Sequence, residues 1–255
     1  MDNVLLSTEG VSARYNENEV LHKVSVSFKG SKITAVIGPN GSGKSTLLKT
    51  LIGLVPKTEG MIIFEGVSLD KLSASAVARK IAYLPQIKSI PDLSVRTMVL
   101  HGRFSHLSYP RRYRSEDIKA AEEALRTVGI EDLAEKKVAS LSGGTVQLVF
   151  LAMALAQNSP VILMDEPASF LDIAHQIKLM ELCKTLARDG KAIIMVMHDI
   201  PMTLKYADEI AVISEGRIAV TGTPLRVFES GILDKVFGVT VKYTDTESGR
   251  IYFCE

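Results

Sequence analysis

The sequence predicts an α/β protein built on a parallel sheet, with a helical segment inserted into it. Three observations carry this. Apolar runs of strand length alternate with helix-length segments through the last hundred residues, the pattern of strand–helix–strand units. The run KITAVIG (32–38) has no polar alternation, as a strand covered on both faces requires. From about residue 87 to 158 strand-like runs vanish and only helical segments remain.

The elements follow in order. The N-terminal third reads as strands. Val24, Val26 and Phe28 alternate with polar residues, which suits a half-buried strand. KITAVIG breaks at Gly38-Pro39-Asn40-Gly41, and a helix is expected from Lys44. MIIF (61–64) is a further strand. In the middle section, helices are expected at Val95–His101, at Ser115–Val128 with Ser115 as N-cap, and from about Gly144 to Gln157. Then come strand VILMD (161–165), helix 173–188, strand AIIMVM (192–197), a helix near 201–206 and strand EIAVIS (209–214). VKY and IYF flank Thr246–Gly249, a terminal hairpin. The domain division expected is a core of 1–86 plus 159–255, with 87–158 as the insertion.

Composition narrows the function classes. The 255 residues carry 30 Lys plus Arg against 29 Asp plus Glu, a formal net charge of +1. A dedicated nucleic-acid binder usually shows a strong basic excess. Cys183 and Cys254 are the only cysteines, so no disulfide framework or zinc spacing is expected. The longest unbroken apolar run, Leu148 to Ala156, has nine residues, whereas a membrane-spanning helix needs about 20. The first ten residues have no signal-peptide pattern. A cytosolic chain is expected, and any membrane part would come from another polypeptide.

Residues 38–45 read G-P-N-G-S-G-K-S, a phosphate-binding loop of the form G-x-x-x-x-G-K-[ST]. Its glycines let backbone N–H groups converge on phosphate oxygens, and the following helix N-terminus adds partial positive charge. The candidate nucleotide-binding residues are Gly38, Pro39, Asn40, Gly41, Ser42, Gly43, Lys44, Ser45 and Thr46. Lys44 would reach the β- and γ-phosphates, and the Ser45 hydroxyl would meet Mg²⁺. VILMDE (161–166) delivers Asp165 at a strand's C-terminal edge, where α/β sheets bind ligands. Asp165 would hold Mg²⁺, and Glu166 would orient and deprotonate an attacking water.

Residues 140–144 read S-L-S-G-G, with Ser142 standing 23 residues before Asp165. This segment resembles the signature of ABC-transporter ATPases, and the other motifs of that family fall in order. Gln86 in AYLPQ matches the glutamine that opens the helical subdomain. Ser169-Phe170-Leu171-Asp172 matches the loop after the acidic pair. His198 in MVMHD matches the switch histidine, and Tyr15 the aromatic that stacks on adenine. The resemblance covers essentially the whole chain. It implies a P-loop NTPase core of RecA type, an N-terminal antiparallel β subdomain and an inserted α-helical subdomain.

The same resemblance implies residue roles. Glu166, His198, Gln86 and Lys44 are catalytic. Ser45, Gln86 and Asp165 hold the metal. Tyr15, Ser142, Gly143, Gly144 and Asp172 join the phosphate loop in binding ATP. Signature and phosphate loop lie on separate surfaces, so two copies would pack head to tail around two ATP. Residues 95–106, 169–176 and 216–224 resemble ATPases for iron-siderophore, haem and vitamin B12 uptake; close relatives serve molybdate, zinc or manganese. The expected partners are therefore a second copy, a separate permease received by residues 87–106, and indirectly a substrate-binding protein, at the cytoplasmic face of a membrane. Arg111, Arg112 and Arg114 read as a solvated basic face, or one turned to lipid or permease.

The signature also departs from the family. Thr145 stands where Gln or Glu is usual, and Val146, Leu148 and Met153 occupy positions where arginines are frequent. Two readings follow: an active but slow homodimeric ATPase, or a degenerate half that pairs with a different cassette. A weakly hydrolysing, nucleotide-gated regulatory module is the alternative function.

Overall fold

The run KITAVI becomes the middle strand of a six-stranded sheet, and that placement explains its unbroken apolar character. The computed structural model describes residues 3–86, 90–169, 171–246 and 249–255. Residues 87–89 of the expected permease-receiving segment, Phe170, and 247–248 of the expected hairpin turn lie outside the described residues.

The chain opens with β1 (Val4–Tyr15), β2 (Asn18–Lys29), β3 (Lys32–Ile37), α1 (Lys44–Leu51), β4 (Lys57–Phe64) and β5 (Val67–Ser68). Next come α2 (Ala74–Lys80), β6 (Ile81–Leu84), α3 (Val95–Leu100), α4 (Ser115–Val128) and α5 (Gly143–Ala156). The alternating part follows: β7 (Val161–Asp165), α6 (Ile173–Arg188), β8 (Ala192–Val196), α7 (Ile200–Tyr206), β9 (Glu209–Ser214) and β10 (Arg217–Gly222). Helices α8 (Pro224–Glu229) and α9 (Ile232–Phe237) lead into a hairpin of β11 (Val241–Thr246) and β12 (Gly249–Cys254).

The large sheet has the order β10-β9-β3-β8-β7-β6. Five of its strands run parallel, and β10 closes one edge antiparallel to β9. Ile33, Ala35 and Ile37 of β3 pack into a core shared with α5 and α6, while Val36 joins the core beneath the antiparallel sheet β2-β1-β4-β5. Both faces of β3 are therefore buried, which favours an unbroken apolar strand. In β2, Val24, Val26 and Phe28 are buried and the intervening residues are exposed, as their alternation predicts.

Between β6 and β7 the described residues contain helices and short 3₁₀ turns. Arg103 ties these together. Its Nε donates to Asp117 Oδ1 of α4 at 3.0 Å, and its Nη1 donates to the Ala156 carbonyl at the end of α5 at 2.9 Å. Asp117 also fixes the start of α4, and corrects the expected cap. The N-cap is Arg114, and Ser115 is already the first helical residue. The Asp117 carboxylate accepts the Arg114 backbone N–H at 2.9 Å, so an acid three positions into the helix does the work expected of the serine.

Helix α5 is apolar on nearly every side. Val146 is buried, and Leu148 and Met153 pack against the core. A helix hydrophobic all round is a buried one. Of the three positions where arginines are frequent in the family, Val146 is thus core in this chain and Leu148 and Met153 pack partly buried against it.

Candidate nucleotide site

The phosphate-loop glycines are dictated by their surroundings. A β-carbon at Gly38 would stand 2.0 Å from the Ile213 carbonyl oxygen. Gly43 caps α1 at φ 103°, a left-handed conformation that favours glycine. Between them the loop curls around the Lys44 ammonium, which donates to the Gly38 and Pro39 carbonyls, each at 2.9 Å. Lys44 is 6% exposed. Burial pulls its pKa below the ordinary lysine value, against the pull of Glu166 and Asp165. The Ser42 hydroxyl is buried without a hydrogen-bond partner among the described residues. A polar atom so placed inside a glycine cradle suits a loop shaped for phosphate oxygens.

Two carboxylates close the site from the end of β7. Ser45 Oγ donates to Asp165 Oδ1 at 2.7 Å, and the Tyr83 hydroxyl donates to Oδ2 at 3.2 Å. A serine hydroxyl beside a nearly buried aspartate is a hard-oxygen donor pair, the kind a small divalent cation uses together with phosphates. Among the described residues no group of three or more His, Cys, Asp or Glu forms a cage for an ion, so such a cation would need the nucleotide's oxygens as well.

Glu166 lies one residue beyond the strand with φ 54°. A non-glycine residue held there is strained, and three donors hold it. His198 Nε2 stands 2.6 Å from Oε1. Gln86 Nε2 and Ser169 Oγ donate to Oε2 at 3.1 and 3.2 Å. Burial acts to raise the Glu166 pKa; the hydrogen bond and charge of His198, with Ser169 and Lys44, outweigh it and hold the carboxyl below the usual range. Glu166, Ser169 and His198 line a cavity of about 190 Å³.

Gln86, Glu166 and His198 thus converge, and Ser45 and Asp165 meet beside Lys44. The other candidates lie apart from these. Ser142 caps α5, accepting the Thr145 N–H at 3.4 Å, and its hydroxyl lies 2.9 Å from Thr145 Oγ1. Gly144 packs on the His175 ring, where a β-carbon would come within 3.2 Å. Asp172 caps α6 by accepting the His175 N–H at 2.8 Å, with His175 Nδ1 also 2.8 Å away; these bonds hold its carboxyl below the ordinary range. Among the described residues no hydrogen bond or ion pair joins 142–144 to 38–46. Tyr15 ends β1 and is 45% exposed. Sequence reading passes over Tyr83. The signal was a phenol inside a strand, since a buried tyrosine hydroxyl must find an acceptor.

Known proteins resemble this chain over nearly its full length. Residues 21–169 match the family described as ABC transporter. The iron(3+)-hydroxamate import ATP-binding protein FhuC of Bacillus subtilis (strain 168) is 36% identical over 96% of this chain and 92% of its own. The ferric enterobactin transport ATP-binding protein FepC of Escherichia coli (strain K12) is 35% identical over 94% of this chain and 89% of its own. A solved structure described as an inward-facing conformation of a metal-chelate type ABC transporter superposes with a TM-score of 0.86 at 26% identity, covering 99% of this chain and 98% of that one. A cradled lysine, a serine–aspartate pair and a triply held glutamate, on a chain alike over nearly its full length, place it in one group: this protein belongs to the ABC transporter family of ATP-binding proteins.

Proposed function

We propose that this chain is the ATP-hydrolysing motor subunit of an importer for metal chelates of the iron-siderophore, haem or cobalamin kind. The observation that carries the hydrolytic part is Glu166, ionised and held by Gln86, Ser169 and His198 beside the Ser45–Asp165 pair. The import names and metal-chelate description of its relatives support the transport part.

The geometry around Glu166 and Lys44 supports the roles proposed for those residues, and the family resemblance supports the others. Lys44 leaves the loop carbonyls for the β- and γ-phosphates, and the loop N–H groups of 40 to 46 surround them. Ser45 and Asp165, with Gln86, would hold Mg²⁺, which when bound would supply neutralisation of charge on the phosphates. Glu166 takes the proton of an attacking water, and His198 keeps the carboxylate aimed. Tyr15 stacks on the base. Ser142, Gly143 and Gly144 contact the γ-phosphate bound by a second copy, and Asp172 lies at that interface. Two copies thus close head to tail on two ATP and part after hydrolysis.

Residues 87–158 form the signature-bearing subdomain, and 1–86 with 159–255 the core. A permease helix docks near 87–106, and a substrate-binding protein delivers cargo on the far side. No helix among the described residues is long and apolar enough to cross a membrane, which fits attachment to the cytoplasmic face through the permease. The net charge of +1 gives no reason for a nucleic-acid partner.

The test is Glu166→Gln. Turnover is expected to fall about 10³-fold, within the range of a lost general base. ATP binding should persist, and an ATP-dependent dimer should accumulate on a sizing column. Undiminished turnover overturns the base assignment. A monomer in saturating Mg-ATP overturns the symmetric dimer. Capture of the ATP-trapped variant from detergent-solubilised membranes should bring a multi-span permease; capture of soluble partners alone removes the transport reading.

A further inference from the structure

The Tyr83 hydroxyl reaches Asp165 from β6, the strand beside the one that carries the aspartate. In the parallel pair β6 and β7, Tyr83 lies opposite Leu163 and Leu84 opposite Met164. The tyrosine thus sits two residues short of the aspartate's level, and its ring extends along the sheet edge with the OH 3.2 Å from Oδ2. The ring packs against the core beneath the antiparallel sheet. The ring is therefore held by packing as well as by the bond of its hydroxyl to Asp165.

A carboxylate on a single-bonded stem rotates broadly about its last torsion. Asp165 is fixed by two donors, Ser45 Oγ on Oδ1 and Tyr83 OH on Oδ2. Ser45 is itself a cation ligand in the reading above, and it must offer its lone pair to the ion. Tyr83 has no such duty. We infer that Tyr83 is a positioning residue for the metal site: it clamps Oδ2 of Asp165 so that Oδ1 and the Ser45 hydroxyl face a divalent cation together. Outer partners that orient a metal-binding carboxylate commonly carry ten- to a hundredfold in metal affinity. This inference rests on the assignment of Asp165 to the cation.

Mn²⁺ serves as the probe, titrated by paramagnetic resonance against the full chain with ADP. Tyr83→Phe removes the hydroxyl and keeps the ring; Tyr83→Leu removes both. Tyr83→Phe is expected to weaken Mn²⁺ about tenfold, with metal-free ADP affinity and the melting temperature unchanged. Tyr83→Leu should weaken Mn²⁺ no further, though it melts earlier. Mn²⁺ affinity within twofold of the parent in Tyr83→Phe overturns the inference. So does a Tyr83→Phe loss that tracks metal-free ADP affinity or melting temperature, which marks a role in folding. Asp165→Asn is the reference. If it leaves Mn²⁺ affinity intact, the metal assignment fails and the inference falls with it. If it abolishes Mn²⁺ binding while Tyr83→Phe stays within twofold of the parent, only the inference fails.

Discussion

Two helices of this protein start at glycine-bearing loops, and the two starts are built on opposite plans. At α1 the loop is inward-facing, and its charged groups are paired although the buried Ser42 hydroxyl has no partner among the described residues. Lys44 sits on two carbonyls, Ser45 on Asp165, and the neighbouring Glu166 is held by three donors. At α5 the start is outward-facing. Ser142 and Gly143 are exposed, and the bonds of Ser142 go to Thr145 of its own first turn. Neither Gly143 nor Gly144 has a positive φ. The first plan pairs its lysine, serine and carboxylates within one chain. The second presents backbone N–H groups to whatever approaches from outside, which is the physical content of the head-to-tail proposal.

The contrast can be broken from either side. The largest expected stability effect lies under the second helix. Asp117→Ala strands the Arg103 guanidinium, only 11% exposed, against the end of α5. Removing one partner of a buried pair costs about 3 kcal/mol, readable by denaturant unfolding. Next, Lys44→Ala removes the one cation inside the first loop. A charge-assisted contact to phosphate contributes about 1.5–3 kcal/mol, so ATP affinity should fall ten- to a hundredfold by calorimetry. Ser142→Ala removes a cap and should cost about 1 kcal/mol of stability. It should leave ATP affinity of the monomer intact while weakening ATP-dependent self-association. Equal loss of both would erase the distinction between the two plans.

The smallest effect is acid sensitivity. Burial acts to raise the Asp117 pKa, but the Arg114 N–H and the Arg103 guanidinium outweigh it and hold it below its ordinary value. Its folded pKa is thus depressed, so its contribution is present above the ordinary carboxylate range and fades as pH falls through the folded value. Asp117→Asn should be less stable than the parent at neutral pH, and the gap should shrink on acidification below about pH 4. A gap constant with pH would mean the carboxylate's charge is not what holds Arg103.

How much of this was legible in the sequence depended on how locally each feature is encoded. Strands β3, β7, β8 and β9 were readable because burial on both faces leaves uniform apolar runs. The phosphate loop was readable because close approach at Gly38 and the left-handed Gly43 restrict which residues fit. Short strand β6 was absorbed into the AYLPQ motif, and Tyr83 went unnoticed with it. The cap of α4 was misplaced because Ser115 matches a cap by type, whereas the observed solution depends on where the Asp117 side chain turns. Convergence of Gln86, Ser169 and His198 on Glu166 is a tertiary fact. Motif order implied it only through the family, since no local rule places three distant donors on one carboxylate. The replacement of arginines in α5 was visible, but its meaning as core packing required the structure.

The contact at Gly102 has a mechanical meaning. A β-carbon there would lie 2.1 Å from the Met153 carbonyl oxygen, so the 3₁₀ turn at His101–His106 rests on α5 backbone to backbone. Most contacts between helices run through side chains, and side chains hop between rotamers and take up slack. At Gly102 itself there is no side chain to hop, although Arg103 of the same turn also reaches the Ala156 carbonyl at the end of α5. Such a joint has less slack to absorb a shift of the turn than one made through side chains.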